Sequence, residues 1–144
     1  MKGMDSFEIK QPMTLAELAS FMEEHWDKEQ YNDFFVGNPT SESAPDQYVI
    51  LPATENYCVL VYPKSGGLFK KTDKIKLACA YTPDGAKKLV WKGASRAKYE
   101  TVFDKAKKAK NAKELNDEMQ GPGDEMLRSY SACLKKLMQE AGLA

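Results

Sequence analysis

Three cysteines, one histidine and a crowd of lysines are the residues of this 144-residue chain whose types invite chemistry. Cys58, Cys79 and Cys133 are odd in number and far apart, with no C-x-x-C pair. That spacing suits neither a redox couple nor a structural zinc site. Each has apolar neighbours, a setting in which cysteine behaves as a small core hydrophobe, so free buried thiols are expected. His25 falls beside Trp26 on an apolar helical stripe, which predicts a packed imidazole and not a base or ligand. Ser95-Arg96-Ala97-Lys98 has the S-x-x-K spacing that in some acyl-transfer enzymes sets a serine beside an activating lysine. The companion S-D-N and K-T-G strings are missing, the nearest being Lys71-Thr72-Asp73, so Ser95 reads as a helix N-cap. Glu23/Glu24, Asp117/Glu118 and Asp124/Glu125 lie in helical segments or caps, where carboxylates are normally solvated. Catalytic pairing would need burial and displaced pKa values. The sequence names no catalytic, cofactor or metal residue.

Anion binding is the chemistry with the most support. In Lys64-Ser65-Gly66-Gly67, consecutive glycines can expose backbone amides, and Lys70 and Lys71 follow. The string matches neither a P-loop nor a dinucleotide fingerprint, and a mobile hairpin loop is the favoured reading of it. With Lys92, Arg96, Lys105, Lys107 and Lys108 it makes up the candidate anion-binding set. A hidden charge asymmetry adds weight. The chain is neutral overall, yet residues 1–63 carry 3 basic and 11 acidic side chains and residues 64–113 carry 15 and 4. Residues 114–144 carry 3 basic and 6 acidic. Such segregation bears on partners and association, not on fold. Trp91 and Tyr99 lie among the lysines and suit base stacking. Against a nucleic-acid partner, only one of those fifteen basic residues is arginine, the side chain that dominates bidentate recognition. The helical lysines also encircle their helix, as a solvated surface would.

The elements that must carry these residues are predicted by periodicity. Tyr48–Leu51 and Tyr57–Tyr62 are short runs rich in β-branched and aromatic residues, bounded by turn formers. Lys74 to Thr82 alternates, with Ile75, Leu77, Cys79 and Tyr81 on one face. Ala53-Thr54-Glu55-Asn56 reads as a hairpin connection, and Tyr57–Tyr62 is apolar on both faces, which predicts a central strand covered on both sides. Thr82-Pro83-Asp84-Gly85 reads as a turn returning the chain into a strand over 87–92. Phe7–Lys10, stopped by Pro12, suits an edge strand, and Leu68-Phe69 a short extra one.

Thr14 and Glu17 form a capping-box pattern at the start of a helix over 14–27, with Met13 and Leu18 at the staple positions. Tyr31, Phe34, Phe35 and Val36 are too apolar for a free linker and predict a short element packed on the core. A helix from Ser95 carries a stripe of Tyr99, Val102, Phe103 and Ala106 and drifts beyond Asn111. Gly121-Pro122-Gly123 is expected to end it, and Asp124 to cap a last helix with a seam of Leu127, Tyr130, Leu134, Leu137 and Ala141. Gly142 supplies the stop.

These readings define one α+β domain over 1–144, an antiparallel sheet of four or five strands with an N-terminal helix and two C-terminal helices packed against it. The N-terminus lacks the apolar stretch of a signal peptide, and no run is long enough to span a bilayer, so the cytoplasm is expected. The functional expectation is a non-catalytic ligand- or protein-binding module, alone, as a homo-oligomer or with a protein partner. Polyanion or nucleic-acid binding through 64–113 is the alternative, and an enzyme on a small-molecule substrate is a second. No membrane partner is expected.

Overall fold

Five strands form one antiparallel sheet in the order β1-β5-β4-β3-β2. These are β1 Met4–Glu8, β2 Phe35–Gly37, β3 Tyr48–Pro52, β4 Tyr57–Lys64 and β5 Lys74–Tyr81. The computed structural model describes residues 1–66, 72–89 and 102–144, with Leu89 and residues 102–108 described by backbone alone. The three central strands fall where the two apolar runs and the Lys74–Thr82 alternation predict. The extra strand at Leu68-Phe69, the Ser95 cap and the Tyr99 end of the lysine-rich helix lie outside the described residues.

One sheet face carries the core. Phe7, Val49, Leu51, Val59, Val61, Ile75 and Leu77 point to it and pack with Leu18, Phe21 and Met22 of α1 (Leu15–His25). Leu127, Tyr130, Leu134 and Met138 of α5 (Asp124–Glu140) close the same cluster. The expected seam is therefore present, with Met138 buried where Ala141 is exposed. Each fully buried large side chain is worth about 1.5–3 kcal/mol before ordering costs. The capping box is formed as expected: the Glu17 amide donates to Thr14 Oγ1 at 3.1 Å, and the Thr14 amide to Glu17 Oε1 at 3.2 Å. At the far end Gly142 takes φ 78°, and the Gly142 and Leu143 amides donate back to Gln139 and Met138, closing a Schellman motif. His25 is a correction. Its side chain is 43 % exposed, stacked on Phe21 at the surface and not packed in the core.

The edge strand also differs. It starts at Met4, upstream of the expected Phe7–Lys10, because Gly3, Asp5, Phe7 and Ile9 share one inward phase and the start is pinned from α5. The buried Asp124 carboxylate accepts from the Gly3 amide at 2.8 Å, and Arg128 donates to the carbonyls of Met1 and Met4. Asp124 is thus an anchor for the N-terminus and not a helix cap. Burial works to raise its pKa, but the Gly3 amide, Arg128 and Lys2 outweigh that and hold the carboxyl below its usual range. A depressed carboxylate stabilises the fold above its unfolded pKa, about 3.9, and loses that contribution as pH falls through the lower folded value. Asp124→Asn is therefore expected to cost about 1–3 kcal/mol at neutral pH. The gap to wild type should narrow below pH ~4. Urea unfolding of both proteins across that range measures it, and a gap constant with pH would contradict the ionic role.

Gly121-Pro122-Gly123 does not end the helix. α4 (Val102–Glu118) runs through a π-helical turn, Met119–Gly123, directly into α5. In an α-helix the Pro122 ring would clash with the carbonyl of Glu118, four residues back. Widening the turn removes that clash, and the Asp124 amide reaches the Met119 carbonyl instead. Gly123 sits close to its neighbours: a Cβ there would lie 3.3 Å from the Glu118 oxygen, a tight approach, and 3.7 Å from Cys79 Sγ, an ordinary contact.

The strand expected over 87–92 is the remaining correction. Its start belongs to helix α3, Pro83–Leu89. Thr82 is the N-cap, its Oγ1 accepting from the Gly85 amide at 3.1 Å, and Pro83 fills the first helical position. Proline's fixed φ suits that position as well as a turn, so the local signal does not separate the two.

Candidate functional site

Cross-strand partners share a face, so the register dictates what the sheet presents opposite α1 and α5. At one end Glu8, Lys74 and Lys64 stand in a row across β1, β5 and β4. The next row holds Ser6, Lys76, Tyr62, Tyr48 and Gly37, and the one after it Met4, Ala78, Leu60, Ile50 and Phe35. Ala80, Cys58 and Pro52 finish the face. Ile50 and Cys58 are buried yet do not belong to the core cluster of the opposite side. The two-sided apolar pattern of Tyr57–Tyr62 is thus explained: the second face has apolar surroundings of its own.

Those surroundings form a cavity of about 290 Å³, walled by Phe35, Pro39, Ile50, Pro52, Cys58 and Pro83. Its volume lies near the lower limit for small-molecule pockets, roughly 300 Å³. Phe35 is placed there by a chain of contacts that begins at α1. Trp26 Nε1 donates to the Asn32 carbonyl at 2.9 Å, and Asn32 Nδ2 to the Tyr130 hydroxyl at 3.0 Å. Tyr130 in turn donates to the Pro52 carbonyl. Asn32 turns this corner with φ 75°, a conformation asparagine tolerates better than most residues. It follows α2, Lys28–Tyr31, which Asp27 caps, and leads into β2. The apolar stretch expected to pack is therefore split. Tyr31 and Phe34 join the core, while Phe35 and Val36 stay 58 % and 47 % exposed.

The polar groups that also line the cavity are already engaged. Thr54 Oγ1 donates to Glu118 at 2.9 Å and accepts from the Tyr57 amide at 3.1 Å. Thr82 Oγ1 donates to the Glu55 carbonyl at 2.7 Å besides capping α3. The Tyr57 hydroxyl donates to the Leu115 carbonyl at 2.8 Å, and Asp33 accepts from the Phe34 amide beside Lys28. Cys58 points its thiol at the Ala80 carbonyl, and burial pushes its pKa up to about 11. Such a thiol stays protonated at neutral pH and is a poor nucleophile. Cys79, pushed up to about 11 chiefly by burial, and Cys133, raised for the same first reason, are likewise free thiols.

Of the anion-binding set, Lys64, Ser65 and Gly66 lie at the end of β4, where the Gly66 amide donates to the Asp73 carboxylate at 2.9 Å. Gly67, Lys70, Lys71, Lys92 and Arg96 lie outside the described residues, and Lys105, Lys107 and Lys108 fall in the backbone-only part of α4. The register brings Lys64 to Lys74, which the set did not include. Phe35, Pro39, Ile50 and Pro52 were absent from it too, since apolar residues carry no mark of which face they serve. Among the described residues, no three His, Cys, Asp or Glu side chains converge as a metal group, and no helix is long and apolar enough to cross a membrane.

Fold and site together define a single-sheet α+β protein with α1 and α5 packed on one face and an apolar cavity among Phe35, Ile50, Cys58 and Pro83. Comparison with protein-family models, with curated proteins and with solved structures gives no match.

Proposed function

We propose that this protein is a non-catalytic binding domain that takes a small apolar ligand into the cavity between β2, β3 and the start of α3. The carrying observation is the state of the cavity's polar lining. Every hydroxyl in it is already hydrogen-bonded within the protein, and its one thiol is held protonated. Apart from the exposed Asp33 carboxylate, which accepts from the Phe34 amide and pairs with Lys28, such a wall offers apolar surface and shape. Ligand selection then follows size, with affinity drawn from burial at about 25 cal/mol per Å². Free thiols at Cys58, Cys79 and Cys133 support a reducing compartment such as the cytoplasm.

Titration with Nile red, a neutral dye that brightens in apolar surroundings, tests this reading. One saturable site is expected. Phe35 is exposed enough for Phe35→Glu to fold, and that change should weaken binding about tenfold, the equivalent of ~1.4 kcal/mol. Absence of saturable binding, or an unchanged affinity in a folded Phe35→Glu variant, would refute it.

A further inference from the structure

We propose that the opposite end of this sheet face binds single-stranded nucleic acid, on Lys64 and Lys74 with Tyr62 and Tyr48 beside them. The two lysines are direct partners across β4 and β5. Their Cβ atoms stand about 5 Å apart, and like charges set directly opposite each other are destabilising. Among the described residues neither forms an ion pair, and Glu8, across from Lys74 on the edge strand, closes none. An anion lying between them turns that repulsion into attraction.

The adjoining row tells what kind of anion. It lies two residues further along each strand, about 7 Å away. There Tyr62 and Tyr48 stand side by side, ring centroids 5.2 Å apart and inclined by 70°. Both are half-buried, so the sheet holds their rings in place at little further cost in rotamer entropy. Cations beside preset aromatic rings are the arrangement that holds the backbone of a single strand while its bases stack. Free phosphate or an acidic peptide would use the lysines and leave the rings idle. Because lysines act as point charges without the arginine fork, the site should tolerate most sequences. This inference is independent of the apolar cavity, which lies at the other end of the face.

Fluorescence anisotropy of labelled oligothymidylate and oligouridylate, from ~50 to ~200 mM salt, tests it. Wild type should bind, with affinity falling steeply as salt rises. Lys64→Gln with Lys74→Gln should lower the slope of log affinity on log salt by about 1.4, since each phosphate contact to a single strand contributes about 0.7. Tyr62→Leu should weaken binding about tenfold and leave that slope alone. Circular dichroism melting confirms that each variant folds. The proposal is overturned by no binding at low salt, by an unchanged slope in the double variant, or by a folded Tyr62→Leu variant that binds as wild type does. It is overturned equally if polyglutamate or phosphatidylserine vesicles compete as well as unlabelled oligonucleotide. Nile red is neutral, so its binding reports on the cavity separately.

Discussion

Leu134→Asp is expected to abolish cooperative unfolding of this protein at 25 °C. Leu134 is 1 % exposed, in the middle of the α5 seam, between Leu127 and Tyr130 on one side and Met138 on the other. Cutting it back to alanine should cost about 2–5 kcal/mol from lost burial and the cavity left behind. Aspartate adds a carboxylate among the apolar side chains of the core cluster, either buried charged or protonated at a further cost. The sum approaches the whole stability of a domain this size, about 5–15 kcal/mol. Ala132→Asp, one face away on the exposed side of the same helix, should stay within about 0.5 kcal/mol of wild type. Urea titration followed by far-ultraviolet circular dichroism separates them. A normal transition in Leu134→Asp would mean that α5 is not docked on the sheet.

Gly85→Ala carries the next largest effect, although a single methyl is added. The new Cβ would fall on the backbone carbonyl of Asn56, far inside contact distance, with the Asn56 Cα at 3.1 Å. A flexible side chain could swing away, but this obstacle is main chain. Asn56 is fixed on three counts: its carbonyl accepts from the Thr82 amide at 2.9 Å, its Nδ2 donates to Glu118 at 3.0 Å, and it is buried. Among the described residues its Oδ1 has no hydrogen-bond partner. Overpacking of this kind costs about 1–3 kcal/mol and more where the backbone must move. A loss of at least ~3 kcal/mol is expected here. Displacing α3 also shifts Pro83 and Thr82 in the cavity wall, so Nile red affinity should fall with stability. Lys87→Ala, on the exposed side of α3, is the control. Equal melting temperatures for the two variants would show that α3 does not pack on the hairpin as described.

What the sequence determined by itself is whatever a few neighbouring residues decide. The alternation of Ile75, Leu77, Cys79 and Tyr81, the Thr14–Glu17 box and the Leu127–Tyr130–Leu134 seam each fit within about a dozen residues, and each formed as read. Reading failed where one local signal serves two structures. Thr82-Pro83-Asp84-Gly85 suits a turn and a helix start equally, and the fit of Gly85 on Asn56 chose the helix. Gly121-Pro122-Gly123 suits a stop and a π-turn, and docking on both sides of it kept the helix going. Asp124 looked like a cap because its anchor, the Gly3 amide, is 121 residues away in the chain.

The two proposed sites belong wholly to the tertiary structure. Lys64 faces Lys74 and Tyr48 stands by Tyr62 only through strand register, and a slip of one residue would turn each of them to the opposite face. The cavity needs β2 brought to β3 by the Trp26–Asn32–Tyr130–Pro52 chain, and Pro83 brought in by α3. Composition and periodicity report which residues want burial or a given backbone. Which of them meet is decided by contacts between segments far apart in sequence, and no single segment carries that information.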